Sequence, residues 1–243
     1  MNMLKKMLVP VALVGALAAC QPPAGGSSKE LVERIEKLEK KVEALEKRPA
    51  GAAPQREAPP PQTAAYTIPT GNSPAMGAKD GKIELTIFSD YQCPFCSRVD
   101  PMLHEVVKDP ELKDKVKVVF KQFPLSFHKD AKPAAKAALA ARDVGGEPKF
   151  WSMSEKMYAN QRALTPENFS VWAKEIGIDV AKFEKALKDN DAKYEAEIKA
   201  DTELGQNAAK VRGTPSLFVN GWELKQRSVD GVKALIKEKK LEG

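Results

Sequence analysis

Cysteine is scarce in this chain, with Cys20, Cys93 and Cys96 the only three in 243 residues. A framework of two bridges needs four cysteines, so the fold cannot rest on one. Histidine is scarcer still, at His104 and His128. A C-x-x-C pair can be half of a zinc site, but zinc wants four ligands and no second pair exists here, so no metal is expected. Long apolar runs are missing too: the longest, Met7 to Ala19, is broken by Pro10 and Gly15 and falls short of the roughly 20 residues of a membrane-spanning helix. The charge excess is slight, 39 Lys and Arg against 33 Asp and Glu, which gives no footing for a nucleic-acid partner.

What the front of the chain does have is the layout of an export signal. MNMLKKMLVPVALVGALAAC sets Lys5 and Lys6 before the apolar run and small residues at its end, which predicts a leader over residues 1–19. Leu17-Ala18-Ala19-Cys20 resembles a bacterial lipobox, which implies cleavage before Cys20 and lipidation of its sulfur; the alternative is an ordinary leader with a coincidental cysteine. Losing Lys5 and Lys6 lowers the formal charge from +6 to +4. Gln21 after the cysteine resembles Gram-negative lipoproteins of the outer membrane. The expected location is the cell envelope, with a lipid anchor on the periplasmic face of that membrane. Disulfides persist outside the cytosol, and Cys93 and Cys96 would be the thiols left free there.

A short flexible segment, residues 20–27, leads into a helix expected at 28–48. Leu31, Ile35, Leu38, Val42 and Leu45 are spaced 4, 3, 4, 3, a heptad seam with β-branched residues at a and leucine at d, the combination that favours two parallel strands. In such a pair Arg34 faces Glu39 of the partner and Lys41 faces Glu46, both attractive. Ser27 with Glu30 forms a capping box, and Pro49 ends the helix. Fewer than three heptads is marginal for a coil, so a trimer or a lone solvated helix remains open beside a homodimer. Residues 49–78 hold seven prolines and no apolar period and read as a disordered linker.

The globular part is expected from residue 79 to 243. KIELTIF (Lys82 to Phe88) predicts a buried strand running into the cysteine segment and a helix kinked at Pro101. KVKVVFKQF (Lys115 to Phe123) predicts a second, valine-rich strand. Residues 131–210 read almost wholly as helix. PSLFVNGWEL then predicts two short strands about a tight Asn220-Gly221 turn, followed by a closing helix around Val232, Leu235 and Ile236.

In YQCPFCSR, Cys93 and Cys96 stand at i and i+3, on one face of a helix start, where they can close a disulfide without unwinding it. Amides of the first turn and the helix dipole stabilise an anionic sulfur, so Cys93 is expected to be the accessible nucleophile with a lowered pKa. Pro94 suits the first turn. Cys96, one turn deeper, is expected to be the resolving thiol.

FSDYQCPFCSR, FKQFPLSFHKDAKPAAKAALAA and VRGTPSLFVNG together resemble the DsbA-like group of thioredoxin-fold thiol:disulfide oxidoreductases. The resemblance implies an α/β thioredoxin-like fold with a helical domain inserted at about 131–210, and a redox-active Cys93/Cys96 disulfide with no other cofactor. It implies a cis bond between Thr214 and Pro215 beside the reactive sulfur, with the Thr214 main chain pairing with substrate and Pro215 shielding the thiolate. Phe95 stands where DsbA has a histidine, so a second positive partner for Cys93 is missing and a less oxidising disulfide is implied. Alignment puts Thr86 where DsbA has a buried acid, and Lys121 at its lysine neighbour or at a solvated strand end. His104 and His128 are read as structural. The implied partners are exported proteins bearing cysteines and a membrane redox partner. Disulfide formation is the expected activity. Isomerase or reductase activity in a stalk-linked dimer is the alternative, and a tethered binding or chaperone module is the remote one.

Overall fold

The computed structural model describes residues 28–46 and 62–241. They divide between two units, residues 1–59 and 60–243. The first contributes one helix, α1 (Ser28–Glu46), with Val32, Ile35, Leu38 and Val42 each about half exposed. The leader, Cys20, the Ser27 cap and Pro49 lie outside the described residues.

The second unit is built on five strands: β1 (Ala75–Gly77), β2 (Ile83–Ser89), β3 (Val116–Gln122), β4 (Ser216–Val219) and β5 (Trp222–Glu223), in spatial order β1-β3-β2-β4-β5. β2 and β3 run parallel in register from Ile83 opposite Val116 to Ser89 opposite Gln122, and the other pairings are antiparallel. A parallel pair needs a crossover. Here α2 (Pro94–Val106) provides it, leaving the end of β2 at the cysteines. Alternation along β2 sends Leu85 and Ile87 into the main core with the inner face of α2. Phe88 joins Phe123, Ala209, Val211 and Phe218 in a second, smaller cluster.

Five helices lie between β3 and β4: α3 (Ala131–Gly145), α4 (Glu147–Ala159), α5 (Pro166–Glu175), α6 (Val180–Asp189) and α7 (Asp191–Asn207). Alanine explains α3 at their centre. Ala134, Ala135, Ala137, Ala138, Ala140 and Ala141 are all buried, and such small side chains let neighbouring helices approach from every side. Thr165, Asp179 and Ser228 cap α5, α6 and the closing helix α8 (Val229–Lys239) by accepting main-chain N–H groups.

One sequence expectation is corrected, and one alternative left open is decided. The linker expected over 49–78 ends sooner, because residues from 62 onward are bound to the domain. Gln62 donates to Gly221 O and accepts from Glu223 N, Tyr66 N donates to Gly221 O, and Ala75–Gly77 form edge strand β1 against β3. Proline and a lack of period mark irregular backbone, which need not be free backbone. Gly221, at φ +79, makes the close approach of Tyr66 possible: a Cβ there would stand 2.0 Å from Tyr66 O.

Of the two readings left open for Lys121, the solvated strand end is excluded. Lys121 is buried, 3.2 Å from Asp201 Oδ1 and donating to Ser73 Oγ at 2.7 Å and Thr70 O at 2.9 Å. The segment read as linker supplies two of its three partners, which is why it needs no solvent.

Candidate active site

Strand β2 ends in a turn that sets the cysteines. Asp90, fully buried, uses Oδ1 to accept the amides of Gln92 at 2.7 Å and Cys93 at 3.2 Å. Its Oδ2 accepts Leu125 N at 2.7 Å and pairs with His128 Nδ1 at 2.9 Å. One carboxylate thus ties the cysteine turn to the loop between β3 and α3. Gln161 Nε2 holds the same turn from the other side, donating to Tyr91 O at 2.7 Å and Cys93 O at 2.8 Å. Sequence reading missed Asp90 and Gln161. Asp90 carried a signal, an Asx residue three before a helix start, whereas Gln161 carried none, because its contact comes from the inserted helices.

Cys93 is the N-cap of α2, Pro94 follows in the first turn, and both thiols are free. Cys96 N donates back to Cys93 O at 3.1 Å. The Cys93 thiol points at Thr214 O, 3.4 Å away, and the Thr214–Pro215 bond is cis. Thr214, the residue before Pro215, therefore meets the sulfur of the cysteine that Pro94 and Phe95 follow.

A hydrogen bond from the Cys96 thiol, helped by the Thr214 side chain and by the amides of Cys96 and Phe95, outweighs burial and lowers the Cys93 pKa. Burial, reinforced by Cys93, raises that of Cys96. Neither residue is widely exposed: Cys93 retains 3% of its surface and Cys96 none. Cys93, expected to be the accessible thiol, is thus mostly covered in this state. The helix start is at the surface, with Pro94 and Phe95 exposed, but the sulfur itself is turned toward Thr214 O. Accessibility still differs, because Cys93 lies at that helix start and Cys96 a turn deeper.

Alkylation by iodoacetamide should therefore label Cys93 alone in reduced protein. Its rate should rise with pH through a midpoint below the ordinary thiol value of about 8.5. Peptide mapping across a pH series checks this, and labelling of Cys96 first would contradict it.

Thr86 is not beside the cysteines. Its hydroxyl donates to Glu84 Oε1 at 2.9 Å, and it alternates with Leu85 and Ile87, which face the core shared with Cys96. Phe95 is 57% exposed with the Arg98 guanidinium 5.0 Å above its ring, and Phe127, on the loop tied by Asp90, is 75% exposed. His128 holds Asp90. His104 lies along α2 near Asp100 and Glu155. Cys20 is outside the described residues. Among the described residues no group of three or more His, Cys, Asp or Glu could hold a metal ion, and no helix is long and apolar enough to cross a membrane.

Comparison with known proteins gives this geometry its relatives. The thioredoxin family pattern matches residues 69–238, well over half of the chain. A "probable disulfide bond formation protein D" of Bacillus cereus is 30% identical over 156 residues, covering 60% of this chain and 69% of that protein. The crystal structure of oxidised BdbD from Bacillus subtilis superposes with a TM-score of 0.61 at 25% identity, covering 74% of this chain and 97% of that one. An Na(+)/H(+) antiporter, NhaA 1 of Salinispora arenicola, is 30% identical over 146 residues, and this chain spans only 21% of its length. The chain belongs to the thioredoxin family, as a DsbA-like member with its helical layer inserted between β3 and β4.

Proposed function

We propose that the protein is a thiol:disulfide oxidoreductase in which Cys93 attacks and Cys96 resolves. The observation that carries this reading is the asymmetry of the pair: one sulfur at a helix start with a lowered pKa, against the carbonyl of Thr214, and one buried behind it with a raised pKa. In exchange the Cys93 thiolate attacks a substrate disulfide, a mixed disulfide forms, and Cys96 attacks Cys93 to release the substrate sulfur. The reverse sequence oxidises a substrate dithiol. The two sulfurs are the only redox group required.

Disulfide formation is the favoured direction. A stabilised Cys93 thiolate favours the reduced enzyme, which makes its disulfide the better oxidant, though Phe95 adds no charge to this effect. Substrates are proteins bearing cysteines that have been exported from the cytosol, and a membrane redox partner restores the disulfide. Cys20 carries a lipid and tethers the domain to the envelope, on the periplasmic face of the outer membrane. Reduced, unfolded substrate mixed with the oxidised protein should regain disulfides as Cys93 and Cys96 become reduced, and a protein that only reduces insulin would point to reductase chemistry. A binding or chaperone module predicts unchanged activity in Cys93→Ala.

The exposed seam of α1 favours a second reading, in which two linked sites isomerise disulfides. A parallel pair of α1 helices would cover Ile35, Leu38 and Val42. The chain lacking residues 1–20 should then sediment as a dimer, and Ile35→Asp with Val42→Asp should convert it to monomer by placing unpaired charge in the seam. Exchange with a small disulfide should persist, and rearrangement of scrambled protein disulfides should fall. Equal particle mass with and without the substitutions would reject the seam, and a threefold mass would replace the dimer by a trimer.

A further inference from the structure

The end of the sheet away from the cysteines carries a charge pattern that thiol exchange does not use. β2 runs from Ile83 to Ser89, so its start lies about 20 Å from the cysteine turn beyond its other end. At that start a hollow of about 590 Å³ opens between the turn before β3 and the last turns of α8. Ile83, Leu112 and Ile236, all buried, line its floor. Lys115, Lys237 and Lys240, all exposed, stand at its rim.

The remaining charges of the hollow cancel. Lys233 Nζ lies 2.7 Å from Glu111 Oε1 and 2.9 Å from Asp109 Oδ2, whereas the three rim lysines have no ion-pair partner among the described residues. Lysine at the end of a helix complements its dipole, which accounts for Lys237 and Lys240. It does not account for Lys115, which comes from another element and is fixed there by its main chain, its carbonyl accepting from Ile83 N at 3.2 Å. Nor does it account for Lys82, exposed next to Ile83, whose carbonyl accepts from Asn220 Nδ2 at 3.3 Å.

The chain also enters the domain at this end. Gln62 Nε2 donates to Gly221 O at 2.7 Å, and the Asn220-Gly221 turn is bonded to the start of β2, with Asn220 Oδ1 accepting from Glu84 N at 2.7 Å. A tether through the residues before 62 therefore attaches on the side of the lysines.

We propose that this end of the domain docks on the anionic headgroups of a phospholipid membrane, with Lys115, Lys237 and Lys240 meeting the phosphates and the apolar floor meeting the glycerol region, so that the cysteines face away from the membrane. Ammonium groups around an apolar hollow suit a ligand that carries phosphate beside hydrocarbon. Free phosphate would leave the floor unused. Contacts of this kind are weak alone, but a linker to the same membrane makes them intramolecular and raises the effective concentration. The docking is separate from the exchange chemistry and shares only the membrane with a lipid on Cys20, so each can fail without the others.

The test is co-sedimentation of the chain lacking residues 1–20, which keeps every described residue, with vesicles of phosphatidylcholine alone or mixed with phosphatidylglycerol. The mixed vesicles should bind it more tightly, and the difference should vanish in about 1 M salt, where the Debye length is about 3 Å. Each lysine near an anionic surface is worth about 5-fold, so the triple variant Lys115→Gln, Lys237→Gln and Lys240→Gln should bind the mixed vesicles about 100-fold more weakly. Its exchange with a small disulfide should stay at the wild-type rate. Vesicle-bound wild type should react with iodoacetamide at Cys93 as fast as the free protein. Equal binding by the triple variant would overturn the proposal, placing the contact on α1 or on Phe95 and Phe127. Wild type indifferent to phosphatidylglycerol would overturn it without any variant. So would protection of Cys93 on vesicles, which would turn the cysteines toward the membrane, or release by inorganic phosphate beyond that by chloride of equal ionic strength, which would make the hollow a free-phosphate site.

Discussion

Replacing Cys93 by serine should reduce thiol exchange to its uncatalysed background, a loss of at least about 10³-fold. A hydroxyl cannot form the anion that the cap of α2 stabilises, and only the anion attacks. Cys96 cannot substitute, because burial raises its pKa and Cys93 lies between it and the surface. Insulin reduction and oxidation of an unfolded dithiol substrate both measure the loss. Retention of a tenth of wild-type activity would place the chemistry elsewhere.

The second large effect concerns stability. Asp201→Ala should destabilise the domain by about 3–5 kcal/mol, because it leaves the Lys121 ammonium buried without its counter-charge. Ser73 Oγ and Thr70 O still accept from the ammonium, but neither carries charge. Gln122 N also loses its acceptor, Asp201 Oδ2 at 2.9 Å. For a domain of this size that is roughly 10 °C in melting temperature. Lys121→Met with Asp201→Asn should recover much of it, since removing both charges removes the cost of burying either, and the asparagine oxygen can keep the Gln122 bond. Urea unfolding of the wild type and the two variants checks this, and an Asp201→Ala protein within about 1 kcal/mol of wild type would show that water reaches the lysine.

The location of each effect explains what could be read from sequence. The cysteine pair and Pro94 were legible because their chemistry lies in local spacing, a helix start needing particular residues at particular offsets, whereas Thr214-Pro215 was legible only through the family resemblance. The strands β2, β3 and β4 were legible for a similar reason, since buried strands are short valine- and isoleucine-rich runs bounded by turn residues. The Asn220-Gly221 turn follows from positive φ at both positions.

What stayed hidden depends on contacts distant in sequence. Lys121 has the composition of a strand-end lysine, and only the arrival of Ser73, Thr70 and Asp201 makes its burial possible. Strand β1 is three residues with no alternation, recruited by an open sheet edge and bound there through main-chain groups. Asp90 looked like one more polar turn residue, yet it accepts from four donors. Thr86 was misplaced by an alignment that ignored the two-residue alternation of β2.

The central claim, that Cys93 forms the bond to substrate and Cys96 breaks it, is met most directly by trapping. Cys96→Ser protein, reacted with a disulfide-bonded substrate and quenched with acid, should carry one substrate per chain, attached at Cys93 and released by added thiol. The wild-type protein under the same conditions should carry almost none. No adduct in Cys96→Ser, or equal adduct in both proteins, would contradict the account.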